Sequence, residues 1–62
     1  MLKPKDIHVG KILIYCIDDG WISIVTETDE NGFHFVCHDG DECYAYYKYD
    51  MRNFISLEEK CE

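Results

Sequence analysis

Four cysteines (Cys16, Cys37, Cys43 and Cys61) and three histidines (His8, His34 and His38) are the side chains of this 62-residue chain with the widest chemical reach. Their types suit a zinc ion, but their spacing does not. No C-x-x-C pair is present, and in the register derived below Cys37 and Cys43 fall on opposite faces of a sheet. His38, Asp41 and Cys43 share a face, which is a weak ligand set at best. The expectation is therefore free thiols, buried or half-buried, because an unpaired cysteine packs as a small hydrophobe. A Cys37–Cys43 disulfide would require a longer third loop than the sequence suggests. A nucleophile–base pair such as Cys43 with His38 would also need a lowered thiol pKa and a pocket. A net negative field raises a thiol pKa, however, and works against it. With no nucleophile elbow, phosphate loop or paired-carboxylate motif, the expectation is a non-enzyme with no catalytic residue, no metal and no cofactor.

Charge is more telling. Thirteen acids against six lysines and arginines leave a net charge of −7. Phosphate backbones and anionic membranes repel such a surface, whereas basic proteins are drawn to it. Hydrophobic residues make up 47% of the chain, too many for a disordered acidic tail, so it folds. At this length roughly 60% of the unfolded surface is buried, and stability needs supplementing. The start of the chain, Met1-Leu2-Lys3-Pro4-Lys5, lacks an apolar leader segment, which makes the cytoplasm the expected location.

Three dipeptides punctuate the middle: Asp19-Gly20, Asn31-Gly32 and Asp39-Gly40. Each is a strong signal for a two-residue hairpin turn. They imply strands over residues 11–18, 21–30, 33–38 and 41–49, all rich in β-branched and aromatic side chains. A helical turn over residues 50–53 and a fifth short strand over residues 54–57 would follow. Two-residue turns would pair Tyr15 with Ile24, Glu27 with Val36 and Phe35 with Tyr44, and so set the faces. One face would carry Leu13, Tyr15, Ile17, Ile22, Ile24, Phe33, Phe35, Tyr44 and Tyr46 as the core. The other would carry Ile12, Ile14, Cys16, Trp21, Val25, Val36, Cys43, Ala45 and Tyr47, mixed with Ser23, Glu27, His34 and His38. So apolar an outer face implies a cover, supplied by the fifth strand and N-terminal segment, or an interface centred on Ile14, Val25, Val36 and Tyr47. A homodimer is one form such an interface would take.

In a meander the first and third turns lie at the same end of the sheet. Asp18, Asp19, Asp39, Asp41 and Glu42 would gather there, and Glu27, Asp29, Glu30 and Asp50 at the opposite end. Aspartate is a good turn residue, and acids keep sheet edges soluble, so turn chemistry alone accounts for part of this. The sharper reading is a negative patch that imitates nucleic-acid phosphates or docks a basic protein, with Trp21 as apolar contact. In size and charge the chain resembles small phage-type inhibitors of DNA-binding host proteins, which implies charge mimicry.

The run Asp6-Ile7-His8-Val9-Gly10-Lys11 into a strand, then three tight hairpins, a short turn and a last short strand, resembles the small SH3-like barrels. Tudor-like and KOW-like members are closer than SH3 proper, since there is no long loop after the first strand and no paired tryptophan. The resemblance implies an all-β, five-stranded antiparallel barrel or strongly curved sheet over residues 1–57, with a charged tail over residues 58–62. A Tudor-like reader would hold a methylated or otherwise cationic ligand among rings such as Trp21, Tyr15, Tyr44, Tyr46, Tyr47 and Tyr49. Against this, alternate positions bury Tyr15, Tyr44 and Tyr46, and large aromatics such as Trp21 more often serve core or interface roles.

Overall fold

The structure is a computed structural model and describes residues 2–16 and 20–56. A 3-10 turn over Pro4–Asp6 leads into β1 (Ile12–Tyr15), β2 (Trp21–Thr28), β3 (Gly32–Cys37) and β4 (Glu42–Tyr46). A short helix α1 (Tyr47–Asp50) runs on into a 3-10 turn, Met51–Asn53, before β5 (Phe54–Ser56). The five strands form one antiparallel sheet in the order β4-β3-β2-β1-β5. The all-β, five-stranded fold with a helical turn before the last strand is thus as expected. The sheet does not close into a barrel.

It does curl. β3 and β5 stand three places apart in the sheet, and three strand spacings on a flat sheet span about 14 Å. Yet the Phe54 ring of β5 meets Phe33 and Phe35 of β3 at centroid distances of 5.2 and 5.1 Å. Tyr15 stacks on the same Phe54 ring at 4.7 Å. Around these rings the core gathers Leu2, Ile7, Leu13, Val25, Cys37, Ala45 and Met51, with Tyr15, Trp21 and Tyr47 packed at its margin.

All three hairpins differ from those expected, the first and third by longer connections and the second by a displaced two-residue turn and a bulge, and the odd register shifts move side chains between faces. β1 pairs Tyr15 with Trp21, three residues from the expected Ile24, which leaves residues 16–20 as the connection. β2 pairs Thr28 with Phe33, and Asp29 N–H donates to the Gly32 carbonyl at 2.9 Å, so residues 30–31 make the turn. A bulge between Val25 and Glu27 then shifts the ladder by one more residue. β3 pairs Phe35 with Cys43, one residue from the expected Tyr44. Here the loop spans residues 38–40, closed by Gly40 N–H to Cys37 O and Cys37 N–H to Asp41 O. Gly40 takes φ +95°, the left-handed residue of a three-residue hairpin loop with its bulge.

Because side chains alternate, an odd shift reverses a strand. β2 and β4 are reversed relative to the expected faces, while β1 and β3 keep theirs. Ile22, Ile24 and Tyr46, expected in the core, are 52%, 42% and 50% exposed, and Tyr44 also lies outside. Val25 and Ala45, expected outside, are buried, and Trp21 and Tyr47 pack against the core. Ile17 lies outside the described residues.

Candidate functional site

The acid-bearing β3–β4 loop is the best-defined element of the expected binding end. Asp39, Asp41 and Glu42 are all exposed. Asp39 Oδ1 accepts the Asp41 N–H at 3.1 Å, a local side-chain-to-backbone bond that holds the loop in shape. The loop is also tied sideways, since His38 N–H donates to the Ile22 carbonyl at 2.9 Å. The His38 ring lies 5.4 Å from that of Trp21. Of the sequence-derived contact residues, the structure therefore places Asp39, Asp41, Glu42 and Trp21 around one end of β2–β3. Trp21 is half-buried and faces Tyr15 across the ladder, with part of its ring committed to the core. Asp18 and Asp19 lie outside the described residues.

Beside this loop is a shallow apolar groove of about 190 Å³, lined by Ile12, Ile22, Ser23, Ile24, Val36, Cys37 and His38. That is below the roughly 300 Å³ at which small-molecule pockets begin. Glu42 stands directly across the ladder from Val36 and puts a carboxylate at the groove's rim. The expected stripe of Ile14, Val25, Val36 and Tyr47 is corrected accordingly. Val25 is 1% exposed and Tyr47 sits against Phe33, so neither can line an outer interface. Ile14 and Val36 do face outward, and Ile12, Ile22, Ile24 and Ile55 join them, through the pairs Ile12–Ile24, Ile14–Ile22 and Ile14–Ile55. Sequence reasoning missed Ile22 and Ile24 because it assumed the shorter loops.

At the other end of the sheet, Asp29 organises the β2–β3 turn. Its Oδ1 accepts the Asn31 and Gly32 amides at 2.7 and 2.9 Å, and Tyr44 Oη donates to both carboxylate oxygens at 2.9 and 3.0 Å. The Asn31 amide, first among these donors, holds the Asp29 carboxyl below its usual range despite some desolvation. Tyr44 is pushed up to about 12 by desolvation and by the hydrogen bond to Asp29. His34 lies edge-on to Tyr44 at 4.7 Å and 3.7 Å from Glu27. Asp29 thus serves turn geometry, as an Asp-x-Asn-Gly sequence signals.

The rings do not assemble one cage. Tyr15, Trp21 and Tyr47 belong to the core margin, while Tyr44, Tyr46 and Tyr49 form an outer edge-to-face chain with centroid steps of 5.0 and 6.2 Å.

Comparison with protein-family models, with curated proteins and with solved structures found no match for this chain.

Of the free thiols among the described residues, Cys37 is buried while Cys16 and Cys43 are exposed. Burial, then the neighbouring Cys43, Asp39 and Asp41, push the Cys37 thiol up, and a thiol held protonated is a poor nucleophile and a poor metal ligand. Cys37 and Cys43 share the inner face, contrary to expectation, since the longer third loop reverses β4. Among the described residues no group of three or more His, Cys, Asp or Glu side chains is placed to hold a metal ion. Among them, too, no helix is long and apolar enough to cross a membrane.

Proposed function

We propose that this chain is a non-enzymatic, acidic protein-interaction module that occupies the positive surface of a basic partner protein, of the nucleic-acid-binding class, and so inhibits it by charge mimicry. The observation that carries this reading is the β3–β4 loop. Asp39, Asp41 and Glu42 project from a turn held by hydrogen bonds to its own backbone and to β2, at the rim of an apolar groove. Carboxylates presented on a pre-shaped loop cost little ordering entropy when a partner arrives. A net charge of −7 adds long-range steering toward a cationic surface. An SH3-like scaffold of the Tudor-like or KOW-like kind is part of the proposal. It is supported by the meander β1 to β4, the helical turn, and the return of β5 to the edge of β1.

The test is capture of partners from a cell lysate, washed at low and at moderate salt and identified by mass spectrometry. A variant with Asp18, Asp19, Asp39 and Asp41 changed to Asn and Glu42 to Gln runs alongside. Asn at 39 keeps an oxygen for the Asp41 amide, so the loop shape survives while the charge goes. Capture of a basic nucleic-acid-binding protein, lost in salt and lost with the variant, supports the proposal. Capture that survives both overturns it.

The outer tyrosines favour a second reading, a Tudor-like reader of cationic ligands. Tyr46 and Tyr49 are 50% and 62% exposed, and the Lys48 ammonium already lies 5.6 Å from the Tyr49 ring centre. A methylated-lysine peptide binding more tightly than its plain counterpart, with the difference lost in Tyr46→Ala, would favour that reading.

A further inference from the structure

The third turn brings two thiols together. With residues 38–40 in the loop, the Cys37 amide bonds to the Asp41 carbonyl while Cys43 pairs with Phe35. Cys37 and Cys43 therefore stand diagonally across adjacent strands on one face, and diagonal neighbours of this kind lie within side-chain reach. A hydrogen bond joins the two thiols. Thiols in contact across a ladder are the arrangement from which a disulfide forms. The two-residue turn read from the sequence would have denied it, by placing them on opposite faces.

The surroundings permit the bond. A disulfide holds its Cα atoms within about 7 Å, the short end of the diagonal range, so the strands draw together slightly as it closes. Beyond that point lies only the three-residue loop, and nothing stands within 4 Å of a Cβ placed on Gly40. Cys16 is turned elsewhere. It follows β1, which β2 separates from β3, and its thiol donates to the Ile14 carbonyl at 3.7 Å.

Access divides the oxidation into two steps. Cys43 is exposed, whereas Cys37 is 5% exposed. The Cys43 thiolate attacks a low-molecular-weight disulfide, such as that of glutathione, forming a mixed disulfide and releasing one small thiolate. Cys37, already against the Cys43 sulfur, loses its proton and displaces the second small thiolate. In sum, two protein thiols become one disulfide, and the two electrons and two protons leave with the small molecule as two thiols. The exposed Cys43 sulfur stays open to the reverse attack, so an excess of the small thiol restores the starting pair.

We propose that Cys37 and Cys43 form a reversible disulfide, closing a ring of residues 37–43 that carries Asp39, Asp41 and Glu42. This goes beyond the charge-mimic reading, since it concerns the covalent state of the loop and its test involves no partner.

The full chain is incubated with an excess of glutathione disulfide, its remaining thiols are alkylated, and the products are mapped by mass spectrometry. Cleavage before Asp39 and Asp41 puts Cys37 and Cys43 on separate peptides, which stay joined only by a bond between their sulfurs. The expected result is that joined pair as the main product, returned to two free thiols by excess glutathione. The equilibrium constant for its oxidation should be at least about tenfold larger in the folded chain than in urea, because the fold already holds the two thiols together. A mixed disulfide at Cys43 that never closes overturns the proposal, as do bonds from Cys16 or Cys61 in place of the pair. An equilibrium constant no larger in the folded chain than in urea overturns it too.

Discussion

Asp29 is the residue on which most local structure converges. Two backbone amides and one phenol donate to its carboxylate, and each of those bonds is stronger to the ionised form. Its folded pKa lies below the ordinary value of 3.8, so its contribution to stability is present above that value and is lost as pH falls through the folded pKa. Acid unfolding of wild type should therefore begin at lower pH than that of Asp29→Ala, as followed by tyrosine fluorescence. On the alkaline side, Tyr15 and Tyr47 are also raised by burial, and ultraviolet titration of tyrosinate should include a late group near 12 that moves back toward 10 in Asp29→Asn. Its return would be partial, since desolvation is the first cause of the shift.

Two glycines make a contrast at the same scale. Gly32 is buried in β3 with φ in the ordinary range, and a Cβ there would run into the Ala45 carbonyl oxygen. Gly40 has φ +95° and open space around it. Gly32→Ala should cost at least about 3 kcal/mol, the upper end of overpacking. Gly40→Ala should cost only about 1–2 kcal/mol, the penalty for a side chain in the left-handed region. Chemical denaturation of the two variants checks the order.

Strand existence was legible in the sequence, because alternation and Gly-containing turns are local signals. Strand facing was not. Asn31-Gly32 reads as the centre of a two-residue turn, but Asp29 draws the turn one residue earlier with its own side chain, and Gly32 becomes a strand residue. His38-Asp39-Gly40 accommodates one residue more than Asp39-Gly40 alone implies. The earlier turn moves the β2–β3 pairing by two residues and reverses nothing by itself. The bulge between Val25 and Glu27 supplies the odd shift that reverses β2, and the extra loop residue reverses β4, so Leu13 and Phe35 keep their expected face while Ile24 and Val25 change sides. Of the candidate contacts, Asp39 and Asp41 survive either register, since loop acids are exposed whichever way the strands face, whereas Glu42, the first residue of β4, takes its outward direction from the observed pairing with Val36. Neighbouring positions in β2 test the observed register. Val25→Ala should cost about 2 kcal/mol, from transfer and cavity terms together. Ile24→Ala should cost less than half of that in dilute, monomeric protein. The expected two-residue turns would have reversed the order.

For the whole molecule, the last strand supplies the centre of the core. Phe54 touches Tyr15, Phe33 and Phe35, rings from β1 and β3, and these contacts draw β5 round toward β3. Phe54→Ala should remove about 3–5 kcal/mol, and in a domain of this size that approaches the full stability. Circular dichroism should then show a largely unfolded chain at room temperature. Loss restricted to β5, with the meander intact, would mean that the four-strand unit folds without it. Long-range contacts made by the final strand also imply folding slower than local hairpin formation.

An unclosed sheet leaves β4 as a terminal strand, and the Tyr46 amide is met there by Asp50 Oδ2 at 2.8 Å. A foreign strand recruited along β4 would need that amide, and would first have to evict a carboxylate from it. Concentrated solutions of this protein should therefore resist fibre growth seeded through β4, and Asp50→Ala should shorten the lag before thioflavin-positive polymer forms.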